Sequence, residues 1–280
     1  MGTLVSIHVV RGADAAAIQT AIDRAFGWFH EIEERCTRFD ARSELMQLTA
    51  KAGEAVPASA ILYQAVQFAL MVAEESGGAF DPTVGHLMEA RGFNQEHRSG
   101  EIIRSAIPSE DCVSYRDVRL DADRRTITLL RPLTLDLGAV AKGLAVDAAA
   151  RELEPFKDFA IDAGGDLYLG GLNPQGEKWC VGIRHPRKDH EVIDTLRVSN
   201  QAVCTSGDYE RRAPGGAEHL IDPRTGASRH AVASATVVAS GAMLADALAT
   251  AAFVLGPEDG IEFLNRLGVD GLIVTPDLQR

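Results

Sequence analysis

Two periods divide this chain. In "ADAAAIQTAIDRAFGWFHEIEERCTRF" the residues Ile18, Ile22, Phe26, Phe29 and Ile32 form one stripe at helical spacing, the mark of a helix with one face on a core. "ARSELMQLTA" reads as a short helix, and "SAILYQAVQFALMVAEESGG" as a longer one closed by a glycine pair suited to a C-cap. From about residue 113 the texture changes to short runs rich in Val, Thr, Ile and Leu: "VSYRDVRL", "RTITLL", "TLDLG", then "DFAID", "DLYLGG", "WCVGIR", "IDTLRVS", "QAVCTS" and "VASATVVAS". A helix is read over 138–153, two more in "AMLADALATAAFVLG" and "EDGIEFLNRLG", and a closing strand in "GLIVT". Helices gathered early and late around a strand meander predict an α+β fold, mostly an antiparallel β meander with flanking helices. A doubly wound parallel sheet would alternate the two. Neither a low-complexity linker nor a repeat at a period of 20–50 residues interrupts the sequence, so one domain over 1–280 is expected.

Charge narrows the partners. A net charge of −12 and a pI near 5.1 disfavour nonspecific attraction to nucleic acid or anionic lipid, so the expected partner is a small molecule or a protein, with no nucleic acid. Cys36, Cys112, Cys180 and Cys204 lie far apart with no CxxC pair, which reads as four ordinary thiols. No window reaches the roughly 18 uninterrupted apolar residues of a membrane span, so no transmembrane segment is expected. "MGTLVSIHVV" lacks a signal-peptide pattern, which reads as cytoplasmic if the sequence is complete. It also opens directly on strand-like alternation, as it would after removal of a leader.

The usual nucleotide motifs fail. "GAVAKG" is not a P-loop, "GGDLYLGG" is not a dinucleotide fingerprint, and "HEIEERC" has Glu34 where a zincin needs its second histidine. In "LDLGAVAKGLAVDAA", residues 135–149, Asp136 ends an apolar run and Lys142 stands across a turn of Gly138, Ala139 and Ala141. Small side chains let a ligand approach the backbone, and a helix start suits an anion, phosphate above all. The same residues also fit a routine strand-to-helix turn with a surface lysine. "ADALATA" spaces Asp246 and Thr250 four apart, which puts both oxygens on one helix face. Hard oxygens of this kind suit Mg²⁺, which keeps waters and shares phosphate oxygens, and a backbone carbonyl from the "GAVAKG" turn would complete the set. A dipole-favoured acid with a packed threonine is the alternative.

"HLIDPRTG" reads as a strand ending in a turn, with His219 on the face of Ile221. An imidazole there suits general-base work near neutral pH, or a structural role. "DAGGDLYLGG" and "CTSGDYE" bring small residues to strand ends, as needed where a flat ring or a phosphate chain lies on backbone, though turns alone explain them equally. "GGAFDPTVG" offers Phe80 for ring packing and Asp81 as an acceptor from ribose or adenine groups. It also reads as a helix start, with Asp81 as N-cap and Pro82 at the first helical position.

Taken in order, "MGT", "ERCTRFDARSEL", "GGAFDPTVG", "LDLGAVAKGLAVD", "AGGDLYLGG", "TSGDYE", "HLIDPRTG" and "ADALATA" resemble the ApbE family of FAD:protein FMN transferases, from Met1 to about Gly256. The resemblance implies an ApbE-like, T-fold-related architecture. It also implies an enzyme that binds FAD with Mg²⁺, transfers the FMN half to a Ser or Thr hydroxyl of a target flavoprotein and releases AMP. Some members instead hydrolyse FAD to FMN and AMP, and a noncatalytic FAD-binding protein is a third reading. Carried over by motif, FAD contacts fall on Met1, Ala79, Phe80, Asp81, Asp136, Lys142 and the backbone near Gly164, Gly165 and Thr205. The metal ligands fall on the Ala139 carbonyl and the side chains of Asp246 and Thr250. The catalytic set is then His219 as base, with Asp246 and Lys142. The chain departs from the family at Asp162, where Asn is frequent, and at "LMEARGFN", where a Trp-Gly-Phe arrangement is usual. Many members are periplasmic lipoproteins, which places this chain there if a leader was removed.

Overall fold

The computed structural model describes residues 2–10, 14–97, 99–105, 113–209, 219–228 and 230–280. In chain order the elements are β1 (Val5–Val9), α1 (Ala15–Cys36), α2 (Glu44–Thr49), β2 (Ala55–Pro57), α3 (Ala60–Glu75), α4 (Gly85–Ala90), β3 (Val118–Asp121), β4 (Thr126–Leu129) and α5 (Gly138–Leu153). They continue with β5 (Phe159–Ala163), β6 (Asp166–Gly170), β7 (Trp179–Arg184), β8 (Val192–Val198), β9 (Gln201–Gly207), β10 (Ser234–Ala239), α6 (Ala242–Leu255), α7 (Pro257–Arg266) and β11 (Asp270–Val274). The period-3.6 stretches fold as helices and most of the period-2 stretches as antiparallel strands, an α+β fold. Among the described residues no helix is long and apolar enough to cross a membrane.

The chain gathers into two compact units. One comprises Met1–Gly2, Glu31–Ala141 and Arg211–Arg229, the other Thr3–His30, Lys142–Glu210 and His230–Arg280. Both are discontinuous in sequence, and α1 and α5 each give residues to both. No linker could mark such a boundary.

The second unit is built on a six-stranded sheet in the order β1-β5-β6-β9-β10-β11, antiparallel at every step. Alternation gives its strands two faces. Leu169 and Val203 pack with Val198, Trp179, Val181 and Leu196, so the β7–β8 hairpin covers one face. The other carries α6, an almost wholly buried helix that packs on β6, β9 and β10. α7 lies against α6 and β11. Helices α5 and α6 cross closely at Gly143, where an added Cβ would overlap the backbone of Met243. The small-residue run that suggested ligand approach is therefore needed by helix packing as well.

In the first unit, β2-β4-β3 form a three-stranded antiparallel sheet and α2 packs on β4. Strand β2 has only three residues, too few to display a period. "TLDLG", read as a strand, joins no ladder: Thr134 accepts from the Gly85 amide at 3.1 Å and Asp136 donates to the Pro82 carbonyl at 2.7 Å. Its partner segment enters a 3₁₀ turn at Pro82–Val84, which stops a ladder from propagating. The strand expected through His219 is likewise missing. Residues 219–222 are irregular and lead into a turn in which the Thr225 and Gly226 amides donate to the Asp222 carbonyl.

Candidate functional site

In the second unit, α5, α6, β6 and β9 bring four oxygen-bearing side chains and one ammonium together. Lys142, in the second turn of α5, has its Nζ in an ion pair with Asp166 Oδ2 and 3.2 Å from Asp246 Oδ2. Its side chain is only 18% exposed. Asp246 and Thr250 share one face of α6, and Thr250 Oγ1 lies 3.1 Å from Ser206 Oγ of β9. Thr205, one position away, turns to the opposite face and meets Thr236 Oγ1 at 2.9 Å, so only its backbone belongs to the expected contact.

Asp147 fixes the helix that carries this face. It accepts from the Ala242 and Met243 amides at 2.6 and 3.1 Å, capping α6 from α5. Burial pushes the Asp147 carboxyl above its usual range, and those two amides pull it back. Burial also drives the Cys204 thiol upward, leaving it an inert core group.

Gly164 and Gly165 form the β5–β6 turn, with φ of 67° and 94°, a left-handed pair that side chains resist. Asp162, at the position where the family often has Asn, accepts from the Gly165 amide at 2.8 Å and closes that turn.

A second group forms in the first unit. Asp136 accepts from the Gly138 amide at 2.8 Å through Oδ1 and from Arg38 Nε at 2.6 Å through Oδ2. Arg38 is 4% exposed, and its Nη2 donates to the Phe93 carbonyl. The Phe93 ring meets His219 edge to face, with centroids 6.3 Å apart. One buried guanidinium thus ties the start of α5 to the residue packed against the imidazole. Arg91 donates to Ser228 Oγ at 2.6 Å and to the Gly226 carbonyl, and Arg224 grips Asp222 through two bonds of 2.9 and 3.0 Å. The turn after His219 is held by arginines.

Asp81 is the N-cap of the 3₁₀ turn with Pro82 at its start, as expected. Its carboxylate accepts from the Thr83 amide and hydroxyl and from the Tyr115 amide. Burial nevertheless raises its pKa, against the pull of those bonds. Ala79 and Phe80 are buried beside it. Ala139 lies in the first turn of α5, and Met1 lies outside the described residues.

The chain therefore brings together Lys142, Asp246 and Thr250 in one group, and Asp136 with the 82–85 segment in another, where Arg38 links it to the Phe93–His219 pair. Sequence reasoning assigned no role to Arg38, Arg91, Asp147, Asp166 or Ser206. Asp166 and Asp147 had a signal, a lone acid in an otherwise small or apolar run. Arg38 and Arg91 lie inside the quoted "ERCTRFDARSEL" and "LMEARGFN", with nothing local to single either out.

Comparison with known proteins joins these observations. The sequence model of the ApbE family matches residues 1–273. A Treponema pallidum protein named FAD:protein FMN transferase is 33% identical over 307 residues, covering 99% of this chain and 83% of that protein. A Vibrio cholerae protein of the same name is 29% identical, over 99% of this chain and 86% of its own length. Among solved structures, the ApbE protein of Thermotoga maritima superposes with a TM-score of 0.85 at 29% identity, covering 99% of this chain and 95% of that one. The flavin transferase ApbE from Vibrio cholerae gives 0.82 at 28% identity, over 98% and 91%. Sequence and fold agree along nearly the whole length, and the chain belongs to the ApbE family.

Proposed function

We propose that this protein is an FAD:protein FMN transferase: it binds FAD and moves the FMN moiety to an acceptor flavoprotein. The family match over 1–273 carries this reading. We read the sequence as one functional domain over 1–280, the acceptor group as a Ser or Thr hydroxyl, and the leaving group as AMP.

The residues fit Mg²⁺. Among the described residues no three His, Cys, Asp or Glu side chains cluster as a metal cage. The Asp246 carboxylate and Thr250 hydroxyl instead form a partial all-oxygen set, which suits a cation that completes its shell with waters and phosphate oxygens. An ammonium already lies between two carboxylates there, so the pocket accepts positive charge. Asp246, Thr250 and the Ala139 carbonyl would hold the ion. Bound Mg²⁺ supplies charge neutralisation on the diphosphate and on the departing AMP.

The chain's own groups do the rest. Lys142 pairs with a phosphate oxygen, and Asp136 with the backbone of the Gly164–Gly165 turn and Thr205 orients FAD, alongside Met1, Ala79, Phe80 and Asp81. The acceptor oxygen attacks the phosphorus on the FMN side. A new O–P bond forms, the bridging P–O bond breaks and its electron pair leaves on AMP. An imidazole nitrogen of His219 takes the hydroxyl proton.

The test is to incubate the protein with FAD and Mg²⁺, with and without a peptide bearing a candidate Ser or Thr acceptor, following AMP and peptide mass. AMP with a peptide mass gain equal to FMN less one water supports transfer. AMP and free FMN in both tubes favours hydrolysis, and intact FAD bound without turnover favours a flavin-binding protein.

A further inference from the structure

One ammonium serves two carboxylates in the second unit, and they come from different elements. Asp166 opens β6 and is 2% exposed, with its Oδ2 in close ion pair with Lys142. Asp246 stands on α6, its Oδ2 3.2 Å from the same nitrogen. The face alternation of β6 fixes Asp166, and the Asp147 cap and the Gly143 crossing fix α6. Both carboxylates are held in place by their elements, and the Lys142 ammonium beside them offsets their mutual repulsion.

Building on the metal site of the flavin-transfer reading, we propose that Lys142 is a built-in counter-cation that a divalent ion displaces from Asp246, with Asp166 anchoring the ammonium through the exchange. Asp166 is then a positioning residue, acting through Lys142. Without the metal, Lys142 offsets half the charge of the two carboxylates. With a dication added, the charge of the same three side chains and the ion changes from −1 to +1 by simple sum of formal charges. The second state favours a diphosphate more than the first, so the exchange couples metal binding to the pull on the FAD diphosphate.

The test titrates Mn²⁺ alone, without FAD, into wild type and variants, reading free Mn²⁺ by its paramagnetic resonance and thermal midpoints without metal. Lys142→Met removes the competitor and is expected to tighten Mn²⁺ binding about tenfold, the size of an ion pair screened as in water. Asp166→Asn leaves Lys142 leaning on Asp246 and is expected to weaken Mn²⁺ severalfold. The double variant Asp166→Asn/Lys142→Met loses one charge of each sign, which keeps the fold's balance, and is expected to bind Mn²⁺ at least as tightly as wild type. A merely structural Asp166 would lower the midpoint and leave the Mn²⁺ constant unmoved. Unchanged or weaker binding in Lys142→Met overturns the exchange, and a double variant as weak as Asp166→Asn overturns the anchor. Asp246→Asn separates the two levels: wild-type Mn²⁺ binding there sinks the metal site itself, whereas its loss beside an unimproved Lys142→Met sinks the exchange alone.

Discussion

The Lys142–Asp246 face and the His219 turn are positioned by opposite means. The first sits on two helices and two strands whose backbones are fixed by a close crossing at Gly143 and a cap from Asp147. The second sits on irregular chain, where Arg38, Arg91 and Arg224 tie carbonyls and carboxylates across loops. Where regular elements supply the geometry, a functional side chain needs few bonds of its own. Where they do not, arginine forks replace the missing ladders.

That contrast can be broken in order of expected effect. Asp246→Ala removes a proposed metal ligand and is expected to cut FMN transfer roughly 10²- to 10³-fold. Its thermal midpoint should move little, because Lys142 keeps Asp166; a large fall in stability with rates preserved would contradict the assignment. Arg38→Met removes the guanidinium that bonds both the Asp136 carboxylate and the Phe93 carbonyl. A loss of about 3 kcal/mol in urea denaturation is expected, and a loss under about 1 kcal/mol would show that side-chain bonds do not hold this region.

Gly143→Ala drives a methyl into the Met243 backbone and is expected to cost about 2 kcal/mol, with weaker Mn²⁺ binding as α6 shifts. Full affinity in a destabilised variant would detach the face from the crossing. Arg91→Ala should cost about 1 kcal/mol while lowering kcat and sparing the KM for FAD, since its guanidinium holds the turn after His219. The opposite split would move that turn into FAD binding.

The smallest effect concerns pH. Burial raises the Asp147 carboxyl in the folded protein, so the native state holds this proton more tightly than the unfolded chain does. Its contribution to stability falls as pH rises from the unfolded value through the folded one. Asp147→Asn is therefore expected to gain on wild type as pH rises across the acid range in stepped thermal melts. An offset independent of pH would contradict this.

The same contrast explains what could be read from residues alone. Helix α6 was legible because Asp246 and Thr250 sit four apart in an apolar run, and the Asp81 cap because Pro82 follows it. The strand through His219 was misread because the apolar pair in "HLID" records burial of Leu220 and Ile221, with no ladder behind it. "TLDLG" failed likewise, its leucines buried while its Asp136 amide and Thr134 carbonyl bond the 82–85 segment. Arg38 was invisible because its partners, Phe93 and Asp136, are 55 and 98 residues away. The fold makes such a pairing, and local pattern carries no trace of it. Asp166 was quoted within a glycine motif, yet only strand pairing turns its carboxylate toward Lys142.

The most direct measurement is the intact mass of an acceptor flavoprotein after incubation with FAD and Mg²⁺, using wild type and Asp246→Ala side by side. The account predicts an FMN phosphoester adduct with wild type and an unmodified acceptor with the variant. Equal adduct with both, or FAD split by wild type while the acceptor stays unmodified, would contradict it.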